Sequence, residues 1–173
     1  MALYEFEGKR PRIGKTSFVP ETADVIGDVV IGEGCFIGVG ARIRGDYGSI
    51  RIGDRTSVQE NVVIHARDGD QTVVGSNVQL GHGCILHNCT VKDNAVIGLG
   101  AILTDFSVVG DWAIVGEGAV VRGEIPDGAI AVGVPAKVIG QVGEKHKAEW
   151  QHYKDKYAEL ASARYPKGLK RID

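Results

Sequence analysis

Three of the five histidines in this 173-residue chain, His65, His82 and His87, fall within one short segment. The stretch GHGCILHN places His82 and His87 five positions apart. Neutral imidazole is a common zinc ligand, and a site with three protein ligands keeps one position open for water, whose pKa falls to about 7. The three histidines are therefore candidate metal ligands, provided that the fold brings them together. The alternative is that a glycine-rich fold tolerates them as incidental surface residues.

Composition excludes several classes of function. Lys and Arg number 20 against 22 Asp and Glu, which gives a net charge of −2 and no basic field for nucleic acid or an anionic membrane. No apolar run approaches the length of a membrane-spanning helix, and the N-terminal segment lacks the apolar core of a signal peptide. We expect a soluble, cytoplasmic protein. Cys35, Cys84 and Cys89 are an odd number without a CxxC motif, which gives little support to a disulfide framework.

Aliphatic residues recur every six positions over about 25–125, and glycine is abundant at 25 residues. A helix needs a period near 3.6 and does not tolerate this much glycine, whereas hairpin strands alternate with period two. A six-residue period with short strands and glycine corners is typical of a hexapeptide β-helix, whose coils stack about 4.8 Å apart. The register positions are Val25, Ile31, Ile37, Ile43, Ile52, Val58, Ile64, Val74, Leu80, Leu86, Val91, Ile97, Leu103, Val109, Val115 and Val121.

The residue four positions after a register position is usually small or β-branched. Cys35 and Cys84 occupy such positions, which predicts that they pack in the core. Thr90 also falls at this spacing, whereas Cys89 lies off it and beside the candidate histidines.

The C-terminal part of the chain breaks the six-residue period. We predict a β-helix domain over residues 1–140, a helical segment over 141–164 and a polar tail over 165–173. The helix should pack on the coils or on a neighbouring subunit through an apolar stripe. The stripe consists of Trp150, Tyr153, Tyr157, Leu160 and Ala161. His146 and His152 lie on different faces of this helix and are interpreted as surface residues.

The repeat also gives the histidines a geometry. His65 and His87 each follow a register position, and their separation of 22 residues equals one coil of about 18 plus a loop over 66–72. They should therefore stack side by side on adjacent coils. His82 lies five residues before His87, which is more than about 10 Å along an extended chain. If His82 binds the same ion, it comes from a neighbouring subunit, and a cyclic trimer would hold three such sites.

Several segments together resemble the gamma-class carbonic anhydrases and their bacterial homologues over nearly the whole chain. These segments are RIRGDYGSI (42–50), TSVQENVVIH (56–65) and GHGCILHN (81–88). The resemblance implies a left-handed parallel β-helix, a homotrimer and zinc, or iron or cobalt, bound by His65, His82 and His87. It also implies the reaction, in which metal-bound hydroxide attacks CO2 to give bicarbonate.

Further site residues follow from the same resemblance. Gln59 corresponds to a glutamine that orients the bound solvent, and Glu60 takes the place of an acidic partner. Arg44 and Asp46 match an arginine–aspartate pair that bridges subunits and helps to bind bicarbonate. The alternative for that pair is a solvated surface ion pair of little energetic worth.

The sequence also departs from the family pattern. Ser57 replaces an asparagine, and no residue matches the glutamate proton shuttle of the archetypal enzyme. Asp68 and Asp70 are interpreted as acids of a turn. A tyrosine of the C-terminal helix completes the site in some members, and Trp150 or Tyr153 could take that place here.

Three other functions stay open. The stretch VGVPAKVI (132–139) resembles the last coil of hexapeptide acyltransferases, which use one histidine as a base. Metal-assisted thioester hydrolysis is a second interpretation. A non-catalytic trimeric metal-binding scaffold is the third.

Overall fold

The computed structural model describes residues 2–172, and most of them form a parallel β-solenoid of about seven turns. Each coil contains three short strands, and strands of successive coils pair in parallel. This confirms the all-β solenoid with a C-terminal helix that the six-residue period predicts. The strands are β1 Ala2–Tyr4, β2 Arg12–Ile13, β3 Asp24–Ile31, β4 Phe36–Ile37, β5 Arg42–Ile52, β6 Ser57–Val58, β7 Val63–His65, β8 Gln71–Val74, β9 Gln79–Leu80, β10 Ile85–His87, β11 Thr90–Val91, β12 Val96–Ile97, β13 Ile102–Leu103, β14 Val108–Val109, β15 Ile114–Val115, β16 Val120–Val121, β17 Glu124–Ile125, β18 Ala129–Val132 and β19 Lys137–Gln141.

Two of the three faces of the solenoid position the candidate site. The first, here called the site face, consists of the first half of β5 followed by β7, β10, β13 and β16. The second, here called the helix face, consists of β4, β6, β9, β12, β15 and β18. On the third face, β8, β11, β14 and β17 follow the second half of β5. The last strand, β19, folds back antiparallel to β18 and ends the solenoid.

The core is a column of aliphatic side chains inside the coils. All sixteen register positions of the repeat lie in this one buried cluster. Burial of these side chains in every coil is the main favourable contribution to the free energy of folding, because the fold has little secondary structure besides its short strands. Cys35 and Cys84 are fully buried in it, as predicted.

Cys89 corrects the expectation from spacing. It is 2% exposed and lies in the core, whereas Thr90 is only partly buried. The reason is the one-residue contraction of the repeat, which moves the inward position from Thr90 to Cys89. Burial raises the pKa of the Cys35 thiol to about 11 and those of Cys84 and Cys89 to about 12.

A close approach at Gly48 shapes the chain beside the site face. A Cβ atom there would lie 2.3 Å from the carbonyl oxygen of Arg67 and 2.5 Å from that of Asp70. Only glycine lets the loop over residues 66–70 pack onto β5 in this way. The loop that follows His65 is therefore held against β5.

The C-terminal helix packs along the helix face of its own chain. It consists of α1 Glu144–Glu159, a π-helical turn Leu160–Arg164 and α2 Tyr165–Gly168. Asn77 Nδ2 donates to Gln151 Oε1 at 2.8 Å, and the ring centroids of Phe36 and Tyr157 are 5.2 Å apart. Hydrogen bonds and ring contacts thus hold α1 against the coils.

Two features of this segment differ from expectation. Helical structure continues to Gly168, so part of the expected polar tail is helical, and its Tyr165 ring lies 5.0 Å from Phe18. The buried stripe is also rotated: Tyr153 is 47% exposed, whereas Lys154 and Ala158 are buried. The cause is the polar surface beneath, where Lys154 Nζ donates to the carbonyl oxygen of Asn94 at 2.5 Å.

No helix within residues 2–172 combines the length and the hydropathy that crossing a bilayer requires.

Candidate metal centre

His65 and His87 lie side by side on the site face. They are paired residues of the parallel strands β7 and β10, so the stacking predicted from their spacing in the sequence is observed. His65 Nδ1 is 3.2 Å from His87 Nε2, and the ring centroids are 5.2 Å apart. Two nitrogens bound to a tetrahedral zinc at 2.0–2.1 Å would be separated by roughly 3.3 Å. The two imidazoles therefore have the spacing of two ligands of one ion.

The other ring nitrogen of His65 faces a carboxylate. His65 Nε2 is 3.0 Å from Asp46 Oδ1, and Arg44 donates to the second oxygen of Asp46. Burial raises the pKa of Asp46, but hydrogen bonds from Arg44, the Tyr47 backbone N–H and His65 outweigh it, so the pKa is lowered. Burial is also the main reason that the pKa of His65 is lowered. A neutral imidazole beside an ionised aspartate is the protonation state that metal binding needs.

The ring nitrogen of His87 that points away from His65 faces the carboxylate of Asp105. Asp105 was not among the site residues predicted from the sequence. His87 Nδ1 is hydrogen-bonded to Asp105 Oδ1, and Arg67 Nη1 donates to Asp105 Oδ2 at 3.2 Å. The hydrogen bond from His87 is the main reason that the pKa of Asp105 is lowered. Coil counting brings the chain near Asp105 but not to it, because β10 pairs with β13 at an offset of 17 residues, which stacks Thr104 on His87 and places Asp105 one residue further along.

These contacts leave two unprotonated nitrogens facing each other. If Asp46 and Asp105 are ionised, they accept the N–H of His65 and of His87, so neither His65 Nδ1 nor His87 Nε2 carries a proton. Two lone pairs at 3.2 Å repel unless a proton or a metal cation lies between them. The arrangement of donors and acceptors thus fits a cation at this point.

His82 lies at the opposite edge of the site face, in the turn between β9 and β10. Its Nδ1 is 2.6 Å from Glu60 Oε2, within ion-pair distance, although the angle is too poor for a hydrogen bond. The Gly83 N–H donates to the Glu60 carbonyl, so Glu60 and His82 stack on adjacent coils. Gln59, next to Glu60, is 2% exposed. Gln59, Glu60 and His82 form one group, here called the His82 half-site.

The predicted site residues thus fall into two groups on one chain. Arg44, Asp46, His65 and His87 are together at one edge of the site face, here called the histidine-pair half-site. The His82 half-site is at the other edge, separated from the first by the length of β10. Among residues 2–172 of one chain, no group of three His, Cys, Asp or Glu side chains could hold a metal ion.

The surface between the two half-sites is apolar. It consists of Val63, Ile85 and Ile102, which are 39%, 39% and 36% exposed, and the less exposed Val120. These residues are successive partners in the pairing of β7, β10, β13 and β16. This stripe of residues is called the apolar column below. Beside it, a shallow cavity of about 270 Å³ includes Ile26, Arg44 and His65 in its lining.

Other residues considered from the sequence lie outside both half-sites. Asp70 accepts a hydrogen bond from Asn88 Nδ2 at 3.2 Å, as an acid of a structured turn, and Asp68 is exposed. The Ser57 hydroxyl is buried without a hydrogen-bond partner. Cys89 points into the core and not toward the histidines.

One side chain of the C-terminal helix interacts electrostatically with a half-site. It is Tyr157, which was not among the helix residues that the sequence suggested for the site. Trp150 and Tyr153 contact each other, with ring centroids 6.0 Å apart. Tyr157 lies deeper. Burial raises its pKa, and the carboxylate of Glu60 raises it further. Tyr157 is therefore the helix side chain whose pKa responds to the carboxylate of the His82 half-site of the same chain.

Comparison with known proteins places this architecture in a class. The parallel solenoid with its C-terminal helix is a left-handed β-helix of hexapeptide repeats. A putative acetyltransferase from Bacillus cereus of known structure superposes with a TM-score of 0.93 at 32% identity, covering 98% of each chain. No family model matches the chain.

Two curated relatives give the family. The carnitine operon protein CaiE of Salmonella typhimurium is 35% identical over 93% of this chain and 82% of its own length. Gamma carbonic anhydrase 1, mitochondrial, of Arabidopsis thaliana is 35% identical over 95% of this chain, which spans 63% of the length of the plant protein. The chain belongs to the gamma-carbonic anhydrase-like family of hexapeptide-repeat proteins.

Proposed function

We propose that this protein is a metal-dependent enzyme of the carbonic anhydrase type, with three sites shared between the subunits of a homotrimer. One observation carries the proposal. Each of the three candidate ligands has one ring nitrogen facing a carboxylate, His65 at Asp46, His82 at Glu60 and His87 at Asp105. At His65 and His87 the carboxylate is hydrogen-bonded to the ring, which fixes the tautomer and leaves the other nitrogen for a metal ion, whereas at His82 the carboxylate is within ion-pair distance.

The position of the half-sites supports the proposed homotrimer. The histidine-pair half-site supplies two ligands at one edge of the site face, and the His82 half-site supplies one at the other edge. A cyclic trimer brings opposite edges of the same face together three times, which joins His65 and His87 to His82 of the partner subunit. The apolar column lies between these edges, where close packing of three subunits would cover it.

The donor set suits zinc, and iron or cobalt could replace it. Zinc, when bound by three imidazoles, lowers the pKa of coordinated water to about 7 and acts as a Lewis acid. Asp46, Glu60 and Asp105 orient the three ligands by accepting or facing their second nitrogens. Gln59 and Glu60 accompany His82 to the shared site, where Gln59 orients solvent. Arg44 offers a guanidinium, held by Asp46, for the bicarbonate anion.

Acyl transfer or thioester hydrolysis is a second candidate for the same site. The putative acetyltransferase of Bacillus cereus and CaiE resemble this chain at 32% and 35% identity. The acyltransferase-like stretch 132–139 runs from the end of β18 through the turn at 133–136 into β19, with Val134 73% exposed. A non-catalytic metal-binding trimer is the remaining alternative.

The test is metal analysis of the purified protein together with CO2-hydration kinetics, for wild type and His82→Ala. We expect about one metal ion per subunit, hydration that a chelator abolishes, and loss of both in the variant. A trimer without bound metal would refute the proposal. Metal with chelator-sensitive acetyl-CoA hydrolysis but no hydration would support a thioesterase. Metal without either activity would support a scaffold.

Two further expectations remain predictions. CO2 and bicarbonate are the substrates proposed, and neither nucleic acid nor a membrane is expected as a partner. A cytoplasmic location is proposed from the sequence, although the plant relative is by its name mitochondrial.

A further inference from the structure

The edges of the site face carry exposed apolar residues directly above and below the histidines. At the edge of the His82 half-site, backbone hydrogen bonds stack Val39, Glu60, His82 and Leu99 on four successive coils. Val39 and Leu99 are 48% and 49% exposed, so the order along this edge is apolar, acid, imidazole, apolar. Neither apolar side chain belongs to the buried cluster of its own chain.

The opposite edge also has an apolar residue on each side of its site residues. Tyr47 is 62% exposed, and its ring lies 6.3 Å from that of His65 in an edge-to-face contact. The Asn88 N–H donates to the His65 carbonyl and the Phe106 N–H to the Asn88 carbonyl, so Phe106 lies on the coil after the one that holds His87, next to Asp105. Phe106 is 63% exposed. The order along this edge is therefore aromatic, imidazole, imidazole, aromatic.

Phe106 is placed at a conformational cost. Its φ is +62°, in the left-handed region that a bulky side chain rarely adopts. Its one ring contact within the described chain is with the Arg67 guanidinium, 5.6 Å from the ring centroid. A strained and exposed aromatic gains little within one chain, which points to a contact outside it.

The height of each residue along the solenoid axis indicates which residues of a neighbouring subunit it can contact. His82 and His87 belong to one coil and so lie at nearly the same height. A cyclic rotation has no translation along its axis. If the rotation joins His82 of one subunit to His87 of the next at the same height, its axis runs parallel to the solenoid, and each coil meets the same coil of the neighbour. Leu99 and Phe106 share the next coil, and Val39 and Tyr47 share the coil before the one that holds Glu60 and His65.

We propose that Leu99 of one subunit packs on Phe106 of the next, and Val39 on Tyr47, so that two apolar walls enclose the shared histidine layers of the seam. The occupant of both exposed patches is a second copy of this chain in the same coil register. This inference rests on the proposed trimer and deepens it. The walls cover the seam above and below the ion and leave access only from the sides.

Engineered disulfides test the register. Leu99 and Phe106 lie at opposite edges of one chain, too far apart for an internal disulfide, which needs Cα atoms within about 7 Å. We expect the Leu99→Cys/Phe106→Cys protein, oxidised with excess oxidised glutathione, to form covalent trimers on non-reducing gels. The matched control is Val39→Cys/Phe106→Cys, whose cysteines would lie three coils or about 14 Å apart in height and should stay unlinked.

The natural thiols do not interfere, because Cys35, Cys84 and Cys89 are buried. Size-exclusion chromatography and metal stoichiometry of the reduced variants separate the possible failures. A metal-binding trimer in which Leu99→Cys/Phe106→Cys stays unlinked, or links no better than the control, overturns the walls and leaves the proposed function intact. A protein that forms no trimer overturns both.

Discussion

At the scale of single residues, Asp105 is the site residue that the sequence did not predict. It belongs to none of the sequence motifs that predict the site, yet it holds His87 in the orientation that presents Nε2 to His65. Arg67 in turn holds Asp105 through its second oxygen. A ligand whose tautomer is fixed in advance loses less freedom on binding an ion, so we expect the carboxylate to raise metal affinity at the proposed site without touching the metal.

We therefore expect Asp105→Asn to lower zinc affinity by roughly 10- to 100-fold without loss of the trimer. The amide keeps the shape of the side chain but is a weaker acceptor for the His87 N–H. Competition with a chromophoric chelator measures the affinity. Asp68→Asn, in an exposed loop, is the matched control and should bind zinc like wild type. Equal affinities for both variants would show that Asp105 does not position the ligand.

At the scale of elements, the polar interface between α1 and the coils is the least expected feature. Lys154 is 1% exposed, with its ammonium 4.6 Å from the centroid of the Trp112 ring. Burial lowers the pKa of Lys154 to about 8, although the nearby Asp111 opposes the shift. The amine is thus held between a carbonyl and an aromatic face, a contact that an apolar helix stripe would not predict.

This shift has a consequence for stability with a definite sign. Between about pH 8 and 10.5 the unfolded chain keeps a proton on Lys154 that the folded chain releases, so Lys154 adds stability as the pH rises through this window. The gain is at most about 3 kcal/mol. The buried thiols act in the opposite direction, because their pKa values are raised, and they are common to wild type and variant.

The difference between wild type and Lys154→Met isolates the effect. We expect the free energy of unfolding of the variant, measured in urea, to fall relative to wild type as the pH rises from 8 to 10. Lys147→Met, which removes a more exposed amine near the same ring, should follow wild type. Parallel curves for Lys154→Met and wild type would mean that the buried amine titrates normally.

The division of the site between subunits belongs to the scale of the whole molecule. Neither edge of the site face is complete, so each proposed site needs one subunit with an intact histidine pair and a neighbour with an intact His82. A subunit damaged at one edge can still serve at the other. Complementation between differently damaged chains is the measurable result.

Trimers reassembled from equal amounts of His65→Ala and His82→Ala chains should recover about one quarter of the wild-type metal sites, because each mixed trimer restores one site of three. His65→Ala mixed with His87→Ala is the control and should recover none, since both changes fall in the same half-site. Inductively coupled plasma analysis after dialysis against a chelator counts the metal. Recovery in the control, or none in the test mixture, would rule out the shared site.

Sequence periodicity predicts the parts of this molecule that depend on coil arithmetic. The core positions and the stacking of His65 on His87 both follow from a six-residue repeat, with three repeats to a coil and one inserted loop. The place of Cys89 was predicted wrongly because the contraction of the repeat falls one residue earlier than assumed. The rotation of α1 could not be predicted, because a hydrophobic pattern does not foresee a buried lysine on Trp112.

Because His82 and His87 lie at the same height along the solenoid, the proposed shared site does not depend on how many coils follow it. The candidate ligands His65, His82 and His87 occupy two neighbouring coils, and each later coil repeats the same cross-section until β19 closes the end. A whole coil gained or lost between β14 and β17, beyond Asp105 and Phe106, would lengthen or shorten every subunit equally and leave the opposed edges at the same level. Growth by complete repeats in that part of the solenoid is therefore neutral for the proposed chemistry.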